Sequence, residues 1–93
     1  MNIPKSVNVL GRIYKVIIHN EVKTGNDHLG THWGNKTAIY LNKNQSSQSM
    51  DSCFIHEILE AINYLQQLRL KHDQISRIET ALYQVLKENK LRL

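Results

Sequence analysis

The sequence has a single cysteine, no long apolar run and no cluster of basic residues. Cys53 has no second cysteine with which to form an internal disulfide, as is typical of proteins in the reducing cytoplasm. No apolar stretch approaches the roughly 20 residues of a transmembrane helix, so we expect no membrane span. The opening MNIPKSVNVLG lacks the apolar core of roughly 7–15 residues found in secretory signals, so we expect no signal. Together these absences predict a cytoplasmic protein.

The basic residues are scattered along the chain. The 93 residues include 12 lysines and arginines and 8 acidic residues, which gives a formal net charge of +4. No two basic residues are adjacent anywhere between Lys5 and Arg92. Nucleic-acid-binding proteins usually concentrate positive charge on one face, whereas a dispersed surplus mainly favours solubility. The charge pattern therefore argues against nucleic-acid binding as the main role, and an accessory nucleic-acid-binding protein is our third hypothesis.

The first half of the chain has the residue pattern of β-strands. The segments VNVL and RIYKVIIH are rich in β-branched residues, and Gly11 lies between them. In RIYKVIIH, the residues that alternate along the segment would point to opposite faces of a sheet. Two such segments around a glycine predict a β-hairpin.

A third strand is predicted after a long polar segment. TGNDHLGTHWGNK is crowded with Gly, Asn and Asp, which is typical of a loop. TAIYLN follows it and places Ile39 and Leu41 two residues apart, on the same face of a strand. The first half of the chain therefore predicts three strands.

The second half predicts two helices. Apolar residues recur at helical spacing from about Met50 to Leu68 and again from about Gln74 to Asn89. Ser47 or Ser49 is expected to cap the first helix, and Asp73 the second. We therefore predict one α+β domain, residues 1–93, with strands and loop in 1–48 and a helical hairpin in 49–93. The predicted sheet is three-stranded and antiparallel, with both helices packed on one face.

The first predicted helix carries a His-Glu-x-x-Glu motif within FIHEILEAINYLQQL. His56 and Glu60 are four residues apart and therefore share one side of the helix, while Glu57 is turned by roughly 100° onto its exposed flank. Zinc accepts imidazole nitrogen and carboxylate oxygen, so this pair forms a candidate metal site. Glu57 would then take a proton from water, as the glutamate of His-Glu-x-x-His enzymes does. The alternative is an ordinary helix with a polar outer side.

A third ligand is expected from the second helix. If the two helices fold back on each other, Glu79 comes within about one turn of the candidate pair. Glu79 also flanks the apolar stripe of its own helix, where a carboxylate usually needs a partner; that partner is either a metal or a basic side chain. His72 is the other candidate, but its position near the turn predicts an axial separation from Glu60 on the order of 13 Å. The spacing favours Glu79.

The chain resembles the small phage-encoded zincin-like proteins, which are minimal relatives of the gluzincin metallopeptidases. The resemblance rests on the order of elements and on HEILEAIN, which departs from His-Glu-x-x-His at Glu60. It implies zinc or another divalent metal held by His56, Glu60 and Glu79, with Glu57 as the general base. It also implies an extended peptide bound along the strand near Ile39, in the cytoplasm of a bacterial host.

The carboxylate at Glu60 divides the functional prediction. It makes the site more anionic, which lowers the Lewis acidity of a bound metal and favours harder ions. Two hypotheses follow: a metal-dependent peptide hydrolase, and a catalytically inactive zincin-like interaction protein.

Overall fold

The computed structural model describes residues 2–20, 30–33 and 37–91. The described chain forms four strands followed by two helices. In chain order these are β1 (Ser6–Val9), β2 (Arg12–His19), β3 (Gly30–Trp33), β4 (Ala38–Asn42), α1 (Ser47–Gln66) and α2 (His72–Glu88). The predicted α+β class, with a sheet followed by two helices, is confirmed. No helix in the described part is both long and apolar enough to cross a membrane.

The first two strands form the predicted β-hairpin. β1 and β2 are antiparallel, and Val9 lies opposite Arg12. The turn places Leu10 at φ 53° and Gly11 at φ 87°, so both residues adopt the left-handed conformation that glycine favours. The Gly11 amide donates a hydrogen bond to Asn8 Oδ1 at 2.7 Å. Gly11 therefore predicts the hairpin because glycine adopts a positive φ at little cost.

The sheet is mixed and four-stranded, so the prediction of three antiparallel strands is wrong. The strand order is β1-β2-β4-β3, with β2 and β4 parallel and β3 and β4 antiparallel. The cause is β3, residues 30–33, which lies within the segment predicted to be a loop. Because β3 reverses the chain direction, β4 can insert between β2 and β3 and run parallel to β2. The remainder of that predicted loop, residues 24–29 and 34–36, lies outside the described residues.

The core lies between the sheet and α1. Ile39 and Leu41 share one face of β4, as predicted, and both are fully buried. They pack in one apolar cluster with Tyr14 of β2 and with Phe54 and Ala61 of α1. Burial of large apolar side chains such as Ile39, Leu41 and Phe54 stabilises the fold by about 1.5–3 kcal/mol each. This cluster fixes the side of α1 that faces the sheet.

The two helices do not share one face of the sheet, which corrects the prediction. α1 contacts β1, β3 and β4, whereas α2 contacts α1 and none of the described strands. α2 has one buried apolar residue, Ile75, which is 1% exposed. α1 therefore has the sheet on one side and α2 on another. Some of its polar side chains, which the sequence predicted to be on the surface, face α2 instead.

The helix caps also differ from the predicted ones. Ser46 caps α1, and its Oγ accepts a hydrogen bond from the Ser49 amide at 3.1 Å. At the start of α2, the Lys71 amide donates a hydrogen bond to Gln74 Oε1 at 2.8 Å. Lys71 is therefore the N-cap residue of α2, in place of the predicted Asp73. The cap of α1 lies one residue before Ser47 and three before Ser49, and the cap of α2 lies two residues before Asp73. The consequence is that α2 begins at His72.

Candidate metal centre

His56 is the central residue of the candidate site and contacts carboxylates on two helices. Its Nε2 lies 3.3 Å from Glu60 Oε2, one turn along α1. Its Nδ1 lies 2.9 Å from Glu79 Oε1 on α2. The His56 side chain is 13% exposed, because α2 covers that part of α1. The structure therefore brings all three predicted ligand residues together around one imidazole ring.

His72 also joins the site, although its position along the sequence predicted a wide separation. Its Nδ1 lies 3.7 Å from Glu60 Oε2, and the centres of the His72 and His56 rings are 4.9 Å apart. The axial estimate of about 13 Å is wrong because it placed His72 beyond the end of α1. In the structure the linker returns along α1 before α2 begins.

The return of the linker has a specific cause in Asn63. α1 ends at Gln66, its C-cap Gln67 adopts the left-handed conformation at φ 52°, and Arg69 does so again at φ 61°. The Leu70 amide then donates to Asn63 Oδ1 at 3.0 Å, and Asn63 Nδ2 donates to the Leu70 carbonyl at 3.2 Å. These two bonds hold Leu70 level with Asn63, less than one turn from Glu60, and so deliver His72 to the site.

The geometry of His56, Glu60 and His72 fits a divalent cation. One ligand atom from each of the three residues lies within 4.8 Å of the other two. Zinc bound at about 2.0–2.1 Å in a tetrahedral site requires ligand atoms roughly 3.3 Å from each other. In the structure, Glu60 Oε2 lies 3.3 Å from His56 Nε2 and 3.7 Å from His72 Nδ1, which is close to that value. Because His72 is 77% exposed, the site is open to solvent on that side.

Glu79 lies on the opposite side of the His56 ring from Glu60. The two carboxylates contact different ring nitrogens, Nδ1 and Nε2 respectively. A single ion coordinates one nitrogen of a given imidazole, so a cation beside Glu60 would be separated from Glu79 by the ring. The second oxygen of Glu79 accepts a hydrogen bond from Ser52 Oγ. The predicted set therefore divides, with His56 and Glu60 on the candidate cation side and Glu79 behind the ring.

Glu57, the predicted general base, is enclosed. It is 6% exposed, so its expected position on an exposed flank is wrong. Burial raises the pKa of Glu57 from its ordinary value of 4.5 to about 7. The neighbouring carboxylates of Glu60 and Glu79 act in the same direction, and His56 opposes them. A carboxyl whose pKa lies near neutrality can accept and release a proton at physiological pH.

Cys53 lies one turn before Glu57 and contributes little reactivity. Its Sγ lies 3.5 Å from Gln45 Oε1, within hydrogen-bonding distance for sulfur. Burial raises the pKa of the Cys53 thiol, and the carboxylates of Glu79 and Glu57 raise it further. A thiol held protonated in this way is a poor nucleophile. The thiol therefore does not provide a competing catalytic centre.

The strand predicted to bind a peptide has no free edge. β4 pairs with β2 from Ala38 to Asn42 and with β3 from Ala38 to Leu41. An extended peptide adds to a sheet through unpaired backbone groups at an edge. In the sheet order, β3 occupies the edge, and it also contacts α1. The predicted binding position near Ile39 is therefore occupied by β3.

No protein-family model, curated protein or solved structure matches this chain. The zincin-like resemblance accordingly stays a prediction that rests on the HEILEAIN segment.

Proposed function

We propose that this protein is a zincin-like, metal-dependent hydrolase that cleaves peptides. His56 Nε2, Glu60 and His72 Nδ1 would hold a divalent cation, with zinc as the first candidate. The observation that supports the proposal is the convergence of three ligand atoms from two helices within 4.8 Å. His72 takes the place that the sequence assigned to Glu79.

A divalent cation held by these residues would supply Lewis acidity, which would polarise a substrate carbonyl and make water a better nucleophile. Glu57 is the proposed general base, because it adjoins His56 in α1 and its raised pKa suits proton transfer near neutral pH. The carboxyl of Glu57 accepts a proton from the attacking water and later returns it to the leaving amine. The exposed side of His72 leaves room for a substrate to approach.

The proposed substrate is an extended peptide that pairs with the outer edge of β3. This strand is the edge neighbour of β4 and contacts the helix that carries His56 and Glu57. The proposed setting is the cytoplasm of a phage-infected or lysogenic bacterial host. That setting rests on the resemblance and on the single cysteine.

The experiment combines metal analysis with peptide hydrolysis. The purified protein should bind about one equivalent of zinc by titration calorimetry and should cleave members of a fluorescence-quenched peptide library. Glu57→Gln should keep zinc and lose about 10²–10⁴-fold in rate, because the amide preserves the shape of the side chain but cannot accept the proton. Glu88→Gln makes the same chemical change at an exposed position of α2 and should leave both measurements unchanged. Wild-type hydrolysis that persists in Glu57→Gln would refute the proposed role.

A non-catalytic zincin-like interaction protein is the second candidate. The enclosure of Glu57, which is 6% exposed, favours it, because a general base must reach a water molecule. The two candidates differ in one measurement. Zinc binding without hydrolysis of any library peptide would favour the interaction protein.

A further inference from the structure

We infer that Glu79, anchored by Ser52, is a positioning residue that holds His56 as the Nδ1–H tautomer and directs its Nε2 lone pair toward Glu60 and His72. The inference rests on the proposed cation site and concerns how that site is prepared. The hydrolytic step is not part of it.

The contacts of Glu79 connect the two helices at the site. Oε1 lies 2.9 Å from His56 Nδ1, and Oε2 accepts a hydrogen bond from Ser52 Oγ. Both partners are on α1, one turn apart, so the carboxylate of α2 spans them. The Glu79 side chain is 17% exposed. With both oxygens engaged and little solvent access, the carboxylate has a defined orientation.

That orientation determines the role of each ring nitrogen. An ionised carboxylate has no hydrogen to donate, so the short contact requires His56 Nδ1 to be the donor. A neutral imidazole with its proton on Nδ1 has its lone pair on Nε2. Nε2 is the nitrogen that lies 3.3 Å from Glu60, on the side of His72. Without a cation both ring nitrogens face a carboxylate, so the selection applies to the cation-bound ring. With a cation between Nε2 and Glu60, Glu79 holds the proton on Nδ1 and leaves Nε2 as the ligating nitrogen.

A carboxylate behind a ligating histidine also holds the ring against rotation and raises its basicity. Loss of such an outer partner typically costs about 10–100-fold in metal affinity. Ser52 acts one step further away, because its hydroxyl holds the second oxygen of Glu79. We therefore expect a graded series in which removal of Glu79 weakens zinc binding more than removal of Ser52 does.

The test uses the full chain with zinc and has two readouts besides activity. Glu79→Ala should weaken zinc binding by about 10–100-fold. Glu79→Gln should weaken it less, because its amide oxygen can still accept from Nδ1. Ser52→Ala should have the smallest effect of the three, and Glu88→Gln is the matched control. Circular dichroism in the presence of a chelator checks that each variant is folded.

Long-range ¹H–¹⁵N NMR of the zinc-loaded wild type gives the second readout and does not depend on any variant. His56 should carry its proton on Nδ1, with the metal-induced shift at Nε2. A metal-induced shift at Nδ1 would make Glu79 a direct ligand and overturn the inference, as would unchanged zinc affinity in folded Glu79→Ala. Zinc binding through Nε2 without peptide hydrolysis would leave the inference standing and reject the proposed enzyme. A wild type that binds no zinc would overturn both.

Discussion

His72 Nδ1 lies 3.7 Å from Glu60 Oε2 and so joins the first residue of α2 to the middle of α1. The contact completes a group of three candidate ligand residues, His56, Glu60 and His72, and of these His72 is exposed to solvent. Because α2 contacts α1 alone among the described elements, a cation held here would connect the two helices of the hairpin. Metal binding and the stability of the hairpin should therefore be coupled.

The first prediction identifies the third ligand. His72→Ala should lower zinc affinity more than Glu79→Ala, since His72 would contribute a ligand atom and Glu79 would act through His56. The loss should exceed about 100-fold, the upper end for removal of an outer partner. Titration calorimetry measures both variants, and His19→Ala on β2 serves as a histidine control away from the site. Normal zinc binding by His72→Ala together with lost binding by Glu79→Ala would restore the ligand set predicted from the sequence.

The second prediction concerns the linker. Asn63→Ala removes both hydrogen bonds to Leu70 and leaves the Leu70 backbone groups without these partners. We expect unfolding free energy to fall by about 1–3 kcal/mol, the usual cost of unsatisfied part-buried polar groups. Zinc affinity should fall as well, because His72 would no longer be held beside Glu60. Urea denaturation and calorimetry measure the two effects. Loss of stability with unchanged zinc affinity would show that His72 reaches the site without this linker geometry.

Much of the fold could be predicted from local patterns. The glycine at Gly11 and the alternation around it predicted the hairpin, and the helical spacing predicted α1 and α2 to within a few residues at their ends. The strand order could not be predicted in this way. β3 is only four residues long and lies among turn-forming residues, so periodicity did not distinguish it from a loop. Without β3, the direction of β4 was assigned wrongly.

The candidate site shows what a helical wheel omits. The wheel correctly grouped His56 with Glu60, and the expected hairpin correctly brought Glu79 to them. The helical wheel placed Glu57 on an exposed flank, although the side chain is buried. A wheel shows the strongest apolar stripe of a helix, but it cannot show that α1 packs against both the sheet and α2. His72 was excluded by an axial distance that assumed a straight exit from α1. The signal for its true position was Asn63, whose side chain can bind a returning backbone.

The third prediction tests the carboxylate at Glu60. Glu60→His restores His-Glu-x-x-His and replaces an anionic ligand by a neutral imidazole at the same helical position. Because fewer anionic ligands leave a cation more Lewis-acidic, any peptide hydrolysis should become faster. Selectivity should also shift from hard ions such as manganese toward zinc. Competition titration with the two metals and the peptide library measure both effects. Slower hydrolysis in a zinc-loaded variant would show that the carboxylate itself assists the reaction.

The last prediction concerns the pH dependence of stability and the burial of Glu57. The pKa of Glu57 is raised from 4.5 to about 7 in the folded protein, so between these values the folded state keeps a proton that the unfolded state has released. Unfolding then releases a proton, and stability falls as pH rises through this window. The contribution is fully present below pH 4.5 and is lost above pH 7.

The size of the effect is on the order of 3 kcal/mol, at about 1.4 kcal/mol for each pKa unit. Glu57→Gln keeps the shape of the side chain but removes its titration, so it should abolish this part of the pH dependence. Relative to the wild type, the variant should gain stability as pH rises from 4.5 to about 7 and the gain should then level off, because the buried amide carries no charge. Urea denaturation with a chelator present, at several pH values, measures the difference without interference from bound metal. If the variant and the wild type differ in unfolding free energy by the same amount at pH 5 and pH 8, Glu57 titrates alike in the folded and unfolded chains. Burial would then not raise its pKa.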